Sequence, residues 1–257
     1  TSPRPHGAAA LRYNAPMSSP LNPGDVIGRY EVVELLGEGR FMSAYKVRDG
    51  RLDTVHVLKV PLKNTEGLWE RLESELELHQ GLPPLDLIPI TDVVEVDGMP
   101  GWVGPFVDAP SLADMLIIGA QDRAVLDQIA ASLVRGMGAA HKAGLLHGSL
   151  DPTDVLLPSD RGRFVPRVKD FGVTRVLGLS GRDSLVGNED RAAYMAPEVF
   201  ESAEAVTEAS DVFSVGAILY EVLCGRRAFE GEYATEIQEH VLAGEVGGPK
   251  KVRPEAA

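Results

Sequence analysis

Glycines, lysines and aspartates at several positions in this sequence could bind or act on a phosphate group. Gly37 and Gly39 lie between two stretches that read as strands, where backbone N–H groups can approach a phosphate without interference from a Cβ. The Walker-type loop is excluded because no Gly-Lys-Ser/Thr ending follows, and the dinucleotide fingerprint is excluded because no helix follows directly. Taken alone, a Gly-x-Gly between strands is more often simply a turn.

The elements that would hold these residues change in character along the chain. Short β-branched stretches separated by Gly and Asp-Gly turns predict five strands, at 30–36, 43–48, 54–60, 88–96 and 101–106. One helix, at 68–82, interrupts them. Beyond residue 108 the pattern is helical. Apolar residues at helical spacing over 126–140 predict an amphipathic helix, and 212–223, apolar nearly all round, predicts a buried central helix.

Four further motifs change the interpretation of the glycine pair. The chain contains, in this order, Val57-Leu58-Lys59, the segment 147–154, Asp170-Phe171-Gly172 and Ala196-Pro197-Glu198. Their order and spacing resemble the protein-kinase signature set, and the surrounding residues are similar to the bacterial Ser/Thr kinases. The resemblance covers about residues 25–245. It implies an α+β fold of two lobes, a β-rich N-lobe with one helix over 25–106 and a mainly helical, shortened C-lobe over 107–245. Residues 1–24 are expected to form a flexible arm and 246–257 a tail.

The resemblance implies a cleft for ATP and Mg²⁺ between the lobes. Lys59 would orient the α- and β-phosphates, and Glu75, inside the apolar stripe of the first helix, is predicted to pair with it. Asp170 and Asp154 would bind the metal, Asp154 standing where the family has asparagine. Gly104, unusually small for its position, is expected to open a pocket behind the adenine. The other implied nucleotide contacts are Gly37, Gly39, Ala44, Val57, Pro105, Val107 and Leu156.

The residues that the family uses for phosphoryl transfer are replaced in this sequence. Ser149 stands where the family has the catalytic aspartate, a general base that contributes about 10²–10⁴ in rate. Asp151 replaces the lysine that faces the γ-phosphate, so an attractive charge is expected to become a repulsive one. Gly148 replaces an arginine, and Arg191 replaces the threonine that positions the peptide. These departures favour a pseudokinase with a regulatory or scaffolding role.

Two alternatives stay open at this point. In one, the domain is a weakly active atypical Ser/Thr protein kinase, and Asp151 reaches the substrate hydroxyl. In the other, it is a protein-interaction module that binds no nucleotide. Asp211 is retained and is expected to hold the backbone of the catalytic loop, whereas Glu198 needs a partner other than the family's usual arginine, or lies exposed.

Composition excludes several classes of protein. Twenty-five Lys+Arg against 38 Asp+Glu give a net charge of −13 over 257 residues, which argues against a nucleic-acid partner. Cys224 alone cannot form an intramolecular disulfide, so a reducing, cytoplasmic location is expected. No apolar stretch reaches the roughly 20 residues that a membrane helix needs. We expect a protein partner (a kinase, a substrate or a signalling protein), and apolar surface on a shortened lobe would also favour a dimer.

Overall fold

The computed structural model describes residues 20–39, 41–82, 86–119, 121, 123–179, 189–202 and 205–246. Its N-terminal part is a six-stranded antiparallel sheet. The strands are β1 (Val26–Ile27), β2 (Tyr30–Glu38), β3 (Met42–Asp49), β4 (Val55–Pro61), β5 (Asp92–Val96) and β6 (Met99–Pro105). Their order across the sheet is β1-β2-β3-β4-β6-β5. The five predicted strands are therefore confirmed, and the short β1 is added at the edge.

Alternation of side chains along the strands gives this sheet one apolar face. Tyr45, Val47, Leu58 and Val103 are completely buried between β3, β4 and β6, as expected for a sheet with one face packed on a core. The hairpin between β5 and β6 turns at Asp97-Gly98, where both residues have positive φ. An Asp-Gly pair suits such a turn because both central residues must adopt the left-handed conformation.

Helix α1 (Leu68–His79) packs across the sheet and reaches the C-terminal part. Leu68 and Leu72 are buried against Trp102 of β6 and against Val176, which follows the Asp-Phe-Gly motif. The helix ends at His79 rather than at the predicted residue 82, because the next residue is already extended. Its inner face therefore contacts both lobes.

The C-terminal part is mainly helical. Its helices are α2 (Leu112–Leu116), α3 (Arg123–Lys142), α4 (Val173–Leu177), α5 (Glu208–Cys224) and α6 (Ala234–Ala243). Short 3₁₀ turns occur at Pro152–Asp154, Glu189–Tyr194 and Pro197–Phe200. Four two-residue strands form two antiparallel pairs. They are β7 (Val155–Leu156) with β10 (Arg167–Val168), and β8 (Ser159–Asp160) with β9 (Arg163–Phe164).

Helix α5 is the central helix predicted from its apolar sequence. Thr207 begins it with a capping box shared with Ser210, and Gly225 ends it in the left-handed conformation. Ile218 and Val222 are completely buried in the main core of the lobe. The fixed position of this helix matters for the site, because its first turn carries Asp211.

The predicted N-terminal arm and C-terminal tail lie mostly outside the residues that the structure describes. The arm predicted over 1–24 lies outside the described residues up to residue 19, and the tail predicted over 246–257 lies outside them from residue 247. Among the described residues, no helix combines the length and the apolar character that crossing a bilayer requires.

Candidate functional site

A cavity of about 500 Å³ lies between the sheet and the helical part. This volume is within the usual range of small-molecule sites, about 300–1,000 Å³. Its lining includes most of the residues that the sequence implied for a nucleotide: Gly37, Gly39, Ala44, Val57, Lys59, Gly104, Pro105, Val107, Leu156 and Asp170. The fold thus brings the predicted nucleotide contacts together from both lobes, whereas Glu75, Ser149, Asp151 and Asp154 are not part of the lining.

Gly104 lies where β6 approaches another backbone segment. A Cβ at this position would lie 2.8 Å from the Pro89 carbonyl oxygen, too close for any side chain without movement. Glycine is therefore required by the close backbone approach, a reason that the sequence did not reveal. The cavity also extends towards α1, where His79, Ile90 and Trp102 line it.

Two lysines and two aspartates form a charged cluster at the inner end of the cavity. Lys59 donates to Asp170 Oδ1. The Lys169 ammonium lies between the two predicted metal ligands, 3.1 Å from Asp154 Oδ1 and 3.0 Å from Asp170 Oδ2. Burial raises the pKa of Asp170, but Lys169 and Lys59 outweigh it and hold that pKa well below its usual range. Burial lowers the pKa of Lys169, but Asp170 and Asp154 more than reverse this, so its pKa is raised. Burial lowers the pKa of Lys59, and Asp170 offsets only part of this decrease.

Glu75 has a different partner from the predicted one. It is completely buried, and it accepts a hydrogen bond from the Arg175 guanidinium of α4 rather than from Lys59. The predicted Glu75–Lys59 ion pair is therefore wrong for this structure. The physical reason is that Arg175, brought to α1 by the α4 turn, competes for the same carboxylate, while Asp170 binds Lys59. Burial raises the pKa of Glu75, and Arg175 offsets part of this increase.

Asp151 forms an ion pair with Arg191. Arg191 Nε lies 2.6 Å from Asp151 Oδ2, and its guanidinium also reaches Asp154 Oδ2 at 3.6 Å. Burial and Asp154 raise the pKa of Asp151, while Arg191 and Thr153 oppose that increase. Asp151 was expected to present a repulsive charge to a phosphate. That expectation is wrong for this structure, since Arg191 neutralises the carboxylate.

Ser149 and Asp211 complete the catalytic-loop region. Thr174 Oγ1 donates to Ser149 Oγ at 2.9 Å, so two neutral hydroxyls lie at the position where the resemblance implied a catalytic aspartate. Asp211 accepts hydrogen bonds from the backbone N–H groups of His147 at 2.9 Å and Gly148 at 2.8 Å. The predicted role of Asp211 in holding this loop is confirmed.

Comparison with known proteins shows which family the chain belongs to. The model of the protein kinase domain matches residues 30–253. The chain belongs to the protein kinase family. It is 31% identical over 244 residues to the probable serine/threonine-protein kinase PkwA of Thermomonospora curvata, covering 93% of this chain and 32% of the relative. It is 33% identical to the DNA damage-responsive serine/threonine-protein kinase RqkA of Deinococcus radiodurans, covering 91% of this chain and 36% of RqkA.

A solved structure shares the fold of this kinase domain. Rad53 residues 1–466, in complex with AMP-PNP, superpose with a TM-score of 0.70 at 23% identity, covering 87% of this chain and 56% of the Rad53 chain. At that identity the likeness supports the two-lobed fold alone. The chain spans about a third of the length of PkwA and RqkA, so it corresponds to only part of those proteins.

Sequence reasoning missed three basic residues of the kinase domain that the structure brings into the site. Lys169 directly precedes Asp170, and a cation next to an expected metal ligand was a usable signal. Arg191 was noted only as the replacement of a threonine, although its guanidinium could have been expected to pair with the nearby acidic Asp151. Arg175 gave no signal of its own, because its contact with Glu75 joins residues 100 positions apart.

Gly172 of the Asp-Phe-Gly motif gives a direct test of the Glu75 position. It has φ +71°, and a Cβ there would lie 1.9 Å from Glu75 Oε1. We expect Gly172→Ala to lower the free energy of unfolding by about 1–2 kcal/mol, from the left-handed backbone and the displaced carboxylate. Urea denaturation measures the change.

The matched control for that variant is another glycine-to-alanine change. Gly216 lies within α5, has no positive φ, and a Cβ there would meet nothing within 4 Å. Gly216→Ala should raise the free energy of unfolding by up to about 1 kcal/mol, because alanine favours the helix. If Gly172→Ala also stabilised the protein, the close packing of Glu75 on Gly172 would be contradicted.

Proposed function

We propose that this kinase domain binds a nucleotide but is catalytically impaired, and that it acts as a regulatory or scaffolding pseudokinase. The observation that supports this most directly is the base position. Ser149 offers a hydroxyl that already accepts a hydrogen bond from Thr174. A serine hydroxyl is not basic near neutral pH, so it cannot accept the proton of a substrate hydroxyl as the family's aspartate does.

The surroundings of Asp151 argue against the weakly active alternative. Its Oδ1 accepts hydrogen bonds from the Thr153 backbone and hydroxyl, and its Oδ2 accepts from Arg191. The residue is 2% exposed. A general base must come within hydrogen-bond reach of the substrate proton with an oxygen that is free to accept it. Neither oxygen of Asp151 meets that condition.

Nucleotide binding is supported by the volume of the cavity and by the two lysines, Lys59 and Lys169, in its lining. The predicted contacts line a space of suitable volume, and Lys59 presents an ammonium to it. The Rad53 structure of the same fold is described as a complex with AMP-PNP, an ATP analogue. These features favour a nucleotide-binding pseudokinase over a module that binds no nucleotide.

The residues present do not fit the divalent metal that the family implies. Carboxylate oxygens are the ligands that Mg²⁺ prefers, and Asp154 and Asp170 supply them. The Lys169 ammonium, however, lies within hydrogen-bond distance of both. These residues therefore offer a divalent metal no free pair of carboxylates. The proposal includes a protein partner and a cytoplasmic location, as the sequence led us to expect.

The test combines nucleotide binding with phosphoryl transfer. We expect ATP to raise the melting temperature of the wild-type domain and Lys59→Met to abolish that increase. When the wild type is incubated with γ-labelled ATP and a general protein substrate, it should form no more labelled product than the Asp170→Asn variant does. Transfer at the rates of active kinases, about 1–100 s⁻¹, would contradict the proposal. Absence of any ATP-dependent shift would favour the interaction module instead.

Restoration of activity tests whether the impairment is confined to the reaction centre. Ser149→Asp with Asp151→Lys alone should remain inactive, because the new lysine would face Arg191. Adding Arg191→Thr and Lys169→Met removes both competing cations, and we expect this fourfold variant to exceed the wild type by about 10², the lower range for a general base. Labelled product formation measures the rates. Equal rates in the double and fourfold variants would contradict the role given to the two cations.

A further inference from the structure

The four carboxylate oxygens of the expected metal site all face basic groups of the protein. Asp170 Oδ1 accepts from Lys59, and Asp170 Oδ2 accepts from Lys169. Asp154 Oδ1 accepts from Lys169, and Asp154 Oδ2 faces Arg191 at 3.6 Å. Lys169 is the residue that joins the two carboxylates. It therefore occupies the location that a bridging metal ion would need.

The formal charges of this cluster already balance, so no excess negative charge is left for a divalent cation to neutralise. Within this cluster, Lys59, Lys169 and Arg191 face Asp151, Asp154 and Asp170, so three basic side chains lie against three acidic ones and their formal charges balance. A Mg²⁺ ion needs oxygen ligands at about 2.0–2.1 Å in near-octahedral geometry. The metal ion would have to displace the Lys169 ammonium. Because that ammonium is attached to the chain, it would stay close to the metal ion in a partly buried site.

We propose that Lys169 replaces the divalent metal as the counter-ion of this cleft, so that the domain binds a metal-free nucleoside triphosphate. Lys59 and Lys169 both line the cavity, and together they present two ammonium groups to the phosphates. Ammonium groups bind phosphate oxygens through charge-assisted hydrogen bonds and impose no coordination geometry. This inference rests on the proposed nucleotide binding and adds that the ligand is the nucleotide without its metal.

The first experiment needs no nucleotide. Mn²⁺ is titrated into the apo domain and its binding is followed by electron paramagnetic resonance. The wild type and Lys142→Met, an exposed lysine at the end of α3, should bind no Mn²⁺ at this site. Lys169→Met frees the two carboxylates and should gain one saturable site. A wild-type site that Asp170→Asn abolishes would overturn the proposal, and so would the absence of any gain in Lys169→Met.

The second experiment compares ATP titrations in EDTA and in MgCl₂ by calorimetry. The affinities of the wild type for ATP in the two buffers should agree within about twofold. In EDTA, Lys169→Met should bind ATP at least about tenfold more weakly than the wild type, and MgCl₂ should restore its affinity. Circular dichroism melts check that the variant folds, and Lys169→Gln replaces it if it does not.

The outcomes separate this inference from the proposed function. Wild-type binding that appears only with Mg²⁺ would overturn the role of Lys169 and leave nucleotide binding intact. If Lys169→Met bound ATP in EDTA as tightly as the wild type does, the role of Lys169 would likewise be overturned and nucleotide binding would stand. No binding by the wild type in either buffer would overturn both proposals.

Discussion

Replacing Asp211 by alanine is expected to lower the free energy of unfolding by about 3–5 kcal/mol, because it leaves a buried and a half-buried backbone donor without an acceptor and removes a charged partner. The carboxylate is 1% exposed and accepts from the His147 and Gly148 N–H groups. It also lies 2.9 Å from His141 Nε2. Water has little access to replace these contacts. The loss should therefore approach the full cost of unsatisfied groups.

Urea denaturation followed by tryptophan fluorescence measures this effect. Glu239→Ala is the control, since Glu239 is an exposed carboxylate on α6 and its loss should stay within about 0.5 kcal/mol. Asp211→Asn keeps the shape of the side chain and one acceptor oxygen, so its loss of unfolding free energy should lie between those of Asp211→Ala and Glu239→Ala. If Asp211→Ala cost no more than Glu239→Ala, the catalytic loop would not depend on this carboxylate.

The second large effect concerns acid stability and depends on His79. Burial lowers the pKa of this imidazole to about 4, with the Phe171 backbone offsetting part of the effect. In the unfolded chain the pKa is about 6.5, so below that pH the unfolded state takes up a proton that the folded state refuses. Stability is therefore lost as the pH falls from about 6.5 towards 4. We expect His79 to account for about 2 kcal/mol of that loss at pH 5.

His79→Leu should remove this part of the pH dependence. Unfolding free energies of the wild type, His79→Leu and the exposed control His240→Gln are compared at pH 8 and pH 5. The difference between the two pH values should shrink by about 2 kcal/mol in His79→Leu and stay unchanged in His240→Gln. An unchanged difference in both variants would show that His79 is not held neutral. Other buried acids contribute equally to all three proteins, so they do not affect the comparison.

The fold could be predicted largely because its signals are local. The Asp97-Gly98 turn, the alternation along β3 and the apolar sequence of α5 each depend on residues close together in the chain. The kinase motifs then placed these elements in two lobes. Helix α1 was predicted three residues too long, since nothing in the sequence of 80–82 marked the extended backbone after His79.

The candidate site could be predicted only in part, because its charged groups choose among several partners. Glu75 was correctly expected to be buried, but its burial did not decide between Lys59 and Arg175. Asp151 and Asp154 were expected to make the centre more acidic. The cations that neutralise them come from segments 15 to 40 residues away, and their approach follows from tertiary packing.

The two ion pairs that cross the cleft have a kinetic consequence. Lys59 binds Asp170 and Glu75 binds Arg175, and in each pair one residue belongs to each lobe. Any separation of the lobes must therefore pull apart two pairs of opposite charges. Three of these four side chains are mostly buried, so added salt screens their attraction only weakly. Opening of the two lobes should consequently depend little on ionic strength, unlike the approach of a charged ligand through solvent.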